Sequence, residues 1–177
     1  MKFENSKTIE NLKDAFMREC SAAIKYGFFA EQAKQDGFEQ IYNVFNQFAE
    51  NEKAHAKVWF KLFRGIGATE DNLKDSAELE LFEKNELYAD FASVAEKEGF
   101  SDIVELFRGT AAIEGQHAER FNCLYNKVSK GEFFSSLNEV VWQCGNCGHT
   151  HKGLNPPEKC PVCSHPKAYF SIMPEGN

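Results

Sequence analysis

The sequence predicts a mainly α-helical protein, with a four-helix bundle followed by a small cysteine-rich domain. A duplication predicts the bundle, because the motif Glu-x-x-His occurs at Glu52/His55 and again at Glu114/His117. The two motifs are 62 positions apart (114 minus 52), and much of the preceding chain repeats at the same offset. Two Cys-x-x-Cys pairs near the C-terminus predict the small domain. Identical residues at this offset include Tyr26/Tyr88, Phe29/Phe91, Ala30/Ala92, Ala33/Ala95, Gly37/Gly99, Phe38/Phe100, Ile41/Ile103, Phe45/Phe107, Ala49/Ala111, Ala56/Ala118 and Leu62/Leu124.

The first half of the duplication is predicted to be a helical hairpin. Ser6 or Thr8 can cap a first helix, after which apolar residues recur every three or four positions, the period of one helix face. This helix is predicted to end at Asp36-Gly37, where glycine accepts the left-handed conformation of a helix cap. A second helix is predicted from Phe38 to about Arg64. Because the connection is so short, the two helices must run antiparallel.

The second half of the duplication is predicted to form the same hairpin. A third helix is predicted to start between Thr69 and Asp75 and to continue to Glu98. After a second glycine turn, a fourth helix is predicted from Phe100 to about Lys130. The predicted domains are residues 1–132 for the bundle, 133–139 for a linker and 140–177 for the cysteine-rich domain.

The C-terminal domain is predicted to bind a metal ion through four cysteines. A short strand is predicted at residues 140–143, and the chain after it is too small and too polar to fold on apolar burial alone. Cys144, Cys147, Cys160 and Cys163 form two knuckles that give a tetrahedral site, which either zinc or a single iron accepts. Because four thiolates complete the shell, three histidines are predicted to be exposed loop residues: His149, His151 and His165.

Composition excludes several classes of protein. A net charge of −7 without a basic run argues against a nucleic-acid surface. No run of about 20 apolar residues is present, so no membrane span is expected, and the N-terminus lacks the apolar core of a secretory signal. Paired cysteine knuckles without an export signal favour metal thiolates over disulfides. The expected location is therefore the reducing cytoplasm.

The bundle is predicted to bind metal through one further carboxylate on each remaining helix. A carboxylate and an imidazole three residues apart lie about 5–6 Å apart on one helix face, so both can bind one ion. The first helix offers Glu19, seven residues before Tyr26, whereas the third has Leu81 seven residues before Tyr88. Displacement of the carboxylate by one position to Glu80 indicates one extra residue in that helix, a local π-bulge.

The predicted ligand set matches the arrangement of ferritin-like di-iron bundles. Its oxygen-rich composition suits iron or manganese, and buried carboxylates would be very costly without cations. The alternative is two similar hairpins that carry these side chains on their surfaces. The six candidate ligands are Glu19, Glu52, His55, Glu80, Glu114 and His117.

From Thr8 to Phe170 the chain resembles the rubrerythrins, in which a ferritin-like di-iron bundle precedes a rubredoxin-like domain. The resemblance implies a bridged di-iron site, with an oxo or hydroxo bridge, at the six residues above and Glu83. It also implies one iron at the four cysteines, although zinc could occupy either site in isolated protein. In this family an iron exchanges the imidazole at the position of His55 for the carboxylate at Glu83 as its oxidation state changes. Tyr26 and Tyr88 could donate hydrogen bonds to the ligands.

The implied activity is reduction of hydrogen peroxide to water in defence against oxidative stress. The rubredoxin-like iron would supply electrons from an external reductase that uses NAD(P)H, or from a rubredoxin. Two alternatives have different chemistry, namely a ferroxidase or iron-storage protein and a non-catalytic protein with a zinc ribbon. His149 departs from the family, because rubredoxin-like domains commonly have tyrosine there.

The link between the second and third helices predicts a homodimer, with domain swapping as one arrangement. In a ferritin-like bundle these helices run parallel, so the link must climb from one end of the bundle to the other. From Arg64 to a helix starting near Thr69 it reaches about 18 Å, whereas the climb is about 30 Å. Either the third helix starts later, near Ser76, or each bundle takes its two hairpins from different chains.

Overall fold

The computed structural model describes residues 3–174, which divide into two compact units, residues 3–67 and 68–174. Four long helices form the bulk of both units, as predicted. The helices are α1 (Lys7–Gln35), α2 (Glu39–Phe63), α3 (Thr69–Phe82), a π-helix (Glu83–Leu87), α4 (Tyr88–Glu98) and α5 (Ser101–Ser129). The strands are β1 (Val140–Cys144), β2 (Thr150–Gly153) and β3 (Phe170–Ile172), and short 3-10 turns lie at Phe3–Asn5 and Lys167–Tyr169.

The first unit is the hairpin of α1 and α2. Ser6 caps α1 by accepting a hydrogen bond from the Ile9 N–H at 3.4 Å, as the sequence predicted. The turn uses Gly37 at φ 83°, a conformation that residues with a side chain rarely adopt. Aromatic rings join the two helices, with Phe16 packed 5.3 Å from Phe60. The hairpin therefore has the ends and the antiparallel course expected of it.

The second unit contains the hairpin formed by the third predicted helix and α5. The third helix is continuous from Thr69 to Glu98 but contains the π-helix between α3 and α4, which confirms the inserted residue. Gly99 makes the turn at φ 85°, matching the first hairpin. Ala92, Ala95 and Val104 form its buried cluster. Since the third helix begins at Thr69, the alternative start near Ser76 is wrong.

The C-terminal sheet folds around a tryptophan and the cysteine knuckles. Its strand order is β2-β1-β3, and both pairings are antiparallel. Trp142 lies opposite His151 on β2, is 2 % exposed, and donates a hydrogen bond from Nε1 to the Gly153 carbonyl at 3.1 Å. Phe170, Cys144 and Cys160 complete this buried cluster. Two of the four knuckle cysteines are thus part of the core of the domain.

No helix among residues 3–174 is both long enough and apolar enough to cross a membrane.

Candidate metal centres

The first metal group lies on the hairpin of α1 and α2. Glu19, Glu52 and His55 each present a ligand atom, and these atoms all lie within 4.8 Å of one another. Glu52 and His55 are one helical turn apart, so Nδ1 of the imidazole lies 2.8 Å from Oε2 of the carboxylate. Two carboxylates and one imidazole form an oxygen-rich donor set that suits iron or manganese.

Hydrogen bonds favour the ionised form of the Glu52 carboxyl in this group. The hydrogen bond from His55, followed by that shared with Glu19, holds the pKa of Glu52 below its ordinary value. The Glu52 side chain is 21 % exposed and the His55 side chain 57 %. The burial expected of the metal ligands is therefore not complete in the single chain, because one side of the His55 imidazole is exposed to solvent.

The second metal group repeats the first on the other hairpin. Glu80 of α3 meets Glu114 and His117 of α5, again with one ligand atom from each within 4.8 Å of the others. Nδ1 of His117 lies 2.8 Å from Oε2 of Glu114 and 3.7 Å from Oε2 of Glu80. Burial, and then the hydrogen bond with Glu114, raises the pKa of Glu80 above its ordinary value. The two groups thus match in composition but differ in electrostatics.

Glu83, the seventh predicted bundle ligand, is the first residue of the π-helix. Its side chain is half-buried and does not belong to the group formed by Glu80, Glu114 and His117. Single π-turns inside α-helices occur frequently at functional sites. Glu83 therefore lies one helical turn beyond Glu80, on the segment of the helix where the regular pattern is interrupted.

The hydroxyls of the two tyrosines make no hydrogen bond to the ligands in the single chain, so their role at the metal site stays a prediction. Tyr26 packs on Phe45 with ring centroids 6.1 Å apart, and Tyr88 packs on Phe107 at the same distance. No hydrogen bond from either hydroxyl is found within residues 3–174. The rings are held by aromatic contacts in each hairpin, and their hydroxyls are left available to other partners.

The third group consists of Cys144, Cys147, Cys160 and Cys163, whose sulfur atoms lie within 4.8 Å of one another. Sγ of Cys144 lies 3.7 Å from Sγ of Cys163, and Sγ of Cys147 lies 3.6 Å from Sγ of Cys160. A tetrahedral ion with metal–sulfur bonds of ~2.3 Å requires sulfurs about 3.7–3.8 Å apart. The spacing therefore fits a single ion with four thiolate ligands.

Backbone N–H groups prepare this cluster for a cation. The His165 N–H lowers the pKa of Cys163 to about 5, so the cluster contains a thiolate at neutral pH. The His149 N–H is the largest influence on Cys147 and acts in the same direction, but the hydrogen bonds with Cys163, Cys160 and Cys144 together with burial outweigh it, and the pKa rises to about 12. Without a metal, one sulfur thus holds the negative charge and a neighbour keeps its proton.

The histidines of the small domain are less exposed than predicted, although His149 and His165 do lie in loops. His149, His151 and His165 are all half-buried, and His151 lies in β2. The His165 ring packs against Tyr169 with centroids 4.4 Å apart, and its Nδ1 lies 3.2 Å from the Cys163 carbonyl. Sequence spacing could not show this packing, because it depends on pairings made only in the folded sheet.

Sequence reasoning also missed one residue beside the second metal group. Lys84 lies in the π-helix, and its side chain crosses to α5 over Gly115. The available signal was the glycine itself, because the equivalent position in the first Glu-x-x-His motif is Lys53.

Comparison with known proteins matches both parts of the chain. The rubrerythrin family model matches residues 10–125 and 71–142, and the model for the rubrerythrin rubredoxin-like domain matches residues 142–171. A rubrerythrin of Porphyromonas gingivalis is 40% identical, with 96% of this chain and 92% of that protein covered. A rubrerythrin of Clostridium perfringens is 39% identical over 97% of each chain. A rubrerythrin of Nitratidesulfovibrio vulgaris is 37% identical over 96% of each chain.

These matches confirm the predicted fold class, a ferritin-like bundle with a rubredoxin-like domain. They also agree with the donor chemistry, because a protein with these domains has a di-iron site and a metal site of four cysteines. Both kinds of ligand group are present in the described residues.

Proposed function

Because this chain belongs to the rubrerythrin family, we propose that it is a peroxidase that reduces hydrogen peroxide to water. The observation that carries the proposal is the presence of two matched groups of two carboxylates and one imidazole, together with a four-cysteine group. Reduction of one peroxide to two waters takes two electrons and two protons, and two ferrous ions supply both electrons. A site that holds two ferrous ions can therefore supply both electrons to one peroxide molecule.

We assign separate roles to the residues of the bundle. Glu19, Glu52 and His55 bind one ion, and Glu80, Glu114 and His117 bind the other. Glu83 at the start of the π-helix is the carboxylate that would take the place of His55 as a ligand of a bound iron when its oxidation state changes. The open side of His55 supports this exchange, because an imidazole that is 57 % exposed can move without displacing packed neighbours. The hydroxyls of Tyr26 and Tyr88, which have no partner within residues 3–174, then orient the ligands.

The C-terminal domain is proposed as the entry point for electrons. Cys147 is exposed, and Val162 between the two cysteines of the second knuckle is 68% exposed. An apolar surface directly beside a metal site suits brief contact with a redox partner. The partner is an external NAD(P)H-linked reductase or a rubredoxin. The unpaired cysteines and the thiolate cluster support a cytoplasmic location, and the boundaries 1–132, 133–139 and 140–177 remain a prediction.

We further propose that the working unit is a domain-swapped homodimer, in which each bundle combines the first hairpin of one chain with the second hairpin of the other. Six residue steps join Phe63 to Thr69, which reach at most about 22 Å. In a ferritin-like bundle within one chain, the link must return about 12 Å from Phe63 to the level of His55. It must then climb about 16 Å more to reach the start of α3. The link is too short for that path.

Exposed apolar stripes on both hairpins support the same assembly. One stripe on α2 and one on α5 run through the metal-group histidines, and side chains on them such as Leu106, 69% exposed, are open in the single chain. Stripes of this size on a helix normally pack against another helix. Their exposed members are Ile41, Val44, Phe48, Val58 and Leu62 on α2, and Ile103, Leu106 and Ile113 on α5.

Anaerobic titration of the reduced iron-loaded protein tests the activity. We expect one hydrogen peroxide to oxidise each di-iron site, and oxidation by peroxide to be much faster than oxidation by oxygen. Cys160→Ala is the matched control, because it should retain this single oxidation but lose turnover with a reductase. Fast Fe(II) oxidation by oxygen with mineral loading would instead support a ferroxidase. A colourless protein that contains only zinc would support a non-catalytic role.

A further inference from the structure

Lys84 forms an unusual contact beside the second metal group. If Gly115 had a Cβ, that atom would lie 2.9 Å from both Cδ and Nζ of Lys84 and 3.1 Å from Cε. The lysine side chain therefore lies directly against the buried backbone of Gly115. This glycine immediately follows Glu114, and Lys84 immediately follows Glu83. The ammonium group is thus placed between two segments that each carry a candidate ligand.

The contact depends on the absence of a side chain at position 115. The helical conformation of α5 does not itself require glycine, which is less favourable than alanine in a helix interior. Close approach of the Lys84 side chain is what the missing Cβ permits. The residue pair 84 and 115 therefore acts as a complementary unit across the hairpin.

The first hairpin has no such unit, although the rest of the motif is duplicated. Lys53 occupies the position equivalent to Gly115, and its 72% exposed side chain extends to Glu50 at 3.6 Å. The position equivalent to Lys84 is Ala22 or Ala23, depending on which residue is counted as the insertion. The lysine that crosses the hairpin thus occurs only where the helix contains the π-turn.

The side chain of Lys84 lies in a part of the hairpin that carries several carboxylates. Lys84 forms no ion pair within residues 3–174, so no single carboxylate holds it in place. The second metal group and Glu83 nevertheless concentrate three carboxylates near this part of the hairpin. A cation close to several carboxylates is attracted to all of them without direct contact.

We propose that Lys84 is a positioning residue: lying over Gly115, it fixes the π-helical segment against α5 and holds one positive charge beside Glu80, Glu83 and Glu114. The fixed segment keeps Glu83 in a constant position relative to the metal group. The charge favours the reduced state of the bound irons, because reduction adds negative charge to a site that is already rich in carboxylates. The proposal rests on the di-iron assignment and does not depend on which oxidant the protein uses.

Four variants and a control test the proposal in the full-length protein. Lys84→Met removes the charge but keeps the apolar stem, Lys84→Arg keeps the charge, and Gly115→Ala displaces the lysine tip by adding a methyl group. The fourth variant combines Lys84→Met with Gly115→Ala. Lys74→Met removes an exposed lysine of α3 that pairs with Glu78 at 3.9 Å, and it serves as the matched control.

The first measurement is the midpoint potential of the di-iron site from a spectroscopic redox titration. At a fixed potential, Lys84→Met should lower the ratio of reduced to oxidised sites on the order of tenfold. Gly115→Ala should lower it in the same direction, whereas Lys84→Arg and Lys74→Met should leave it close to wild type. The double variant should be no worse than Lys84→Met, because both changes remove the same contact.

The second measurement is amide hydrogen exchange of residues 83–88 in the metal-free protein. Lys84→Met and Gly115→Ala should each speed exchange at least about tenfold there, while the control should not. Wild-type exchange and wild-type potential in Lys84→Met would overturn the proposal, as would additive effects of the two changes. Failure of peroxide turnover in the wild-type protein would overturn the proposed function alone, since neither measurement uses peroxide.

Discussion

Pairing two inactive chains tests whether the di-iron site forms between chains. One chain carries Glu52→Ala and His55→Ala in its first hairpin, and the other carries Glu114→Ala and His117→Ala in its second. In a swapped heterodimer, one bundle combines both damaged hairpins and the other combines both intact hairpins. The intact bundle should bind iron and react normally. Sites within single chains would all be damaged, because each chain has lost one of its two groups.

The expected magnitude follows from this count of sites. A heterodimer purified through two different affinity tags should contain about half of the wild-type di-iron sites per chain, and about half of the single-turnover peroxide reaction. Each variant alone should give none. The short link is the reason why the sites should form between chains, since about 22 Å of chain cannot span the climb of about 28 Å that a bundle within one chain requires.

The assay needs a control heterodimer in which both chains are damaged in the same hairpin. A heterodimer of a Glu52→Ala chain with a His55→Ala chain damages both first hairpins, so it should contain no intact site under either arrangement. A doubly tagged heterodimer of the original pair that lacks di-iron absorbance would refute the swapped assembly. If the assembly is swapped, lengthening the link by about ten flexible residues should reduce complementation, because each chain could then close its own bundle.

Three further changes test individual residues. Glu83→Ala should leave the thermal midpoint within a few degrees of wild type but lower peroxide turnover about tenfold or more; unchanged turnover would remove this residue from the mechanism. His55→Ala should raise the pKa of Glu52 in the metal-free protein, seen by NMR titration of the carboxyl carbon, because its largest hydrogen bond is lost. In the wild-type protein, the ionised Glu52 paired with His55 stabilises the fold, and this stabilisation is lost as the pH falls through the lowered pKa. His55→Ala should remove this pH-dependent stabilisation, whereas His117→Ala should leave the pKa of Glu52 unchanged. Cys160→Ala should abolish metal binding by the small domain and expose Trp142, detected as a red shift of its fluorescence, while the helical circular dichroism persists.

The helices were predictable because local rules and the duplication agreed. Ser6 and Gly37 are at the ends of α1 where capping and left-handed preferences place them. The inserted residue before Tyr88 could be predicted since the repeat gave a reference for the position of Glu80. A displacement by one residue in an otherwise matching helix has few structural solutions, and the π-helix is one of them.

The strands after β1 and the side-chain contacts were not predictable from the sequence. Thr150–Gly153 contains one β-branched residue and no apolar alternation, so its extended form depends on pairing with β1. The burial of His165 follows from its contact with Tyr169, which only the folded knuckle brings close. Hydrogen bonds from Tyr26 and Tyr88 to the ligands were predicted because both tyrosines lie near candidate ligands in the sequence. In the single chain the rings pack against aromatic residues of the same hairpin, a contact that the sequence did not predict.

The chemical difference between the two metal groups originates in a single inserted residue. Duplication alone would give two identical groups, and the ligand composition and the 2.8 Å contacts between imidazole and carboxylate are indeed the same. The insertion creates the π-helix, which begins at Glu83, one turn beyond Glu80, and brings Lys84 over Gly115. The directions of the pKa shifts also differ, with Glu52 lowered and Glu80 raised. Two ions bound in such groups would therefore experience different electrostatic fields, although the two groups offer the same ligand types.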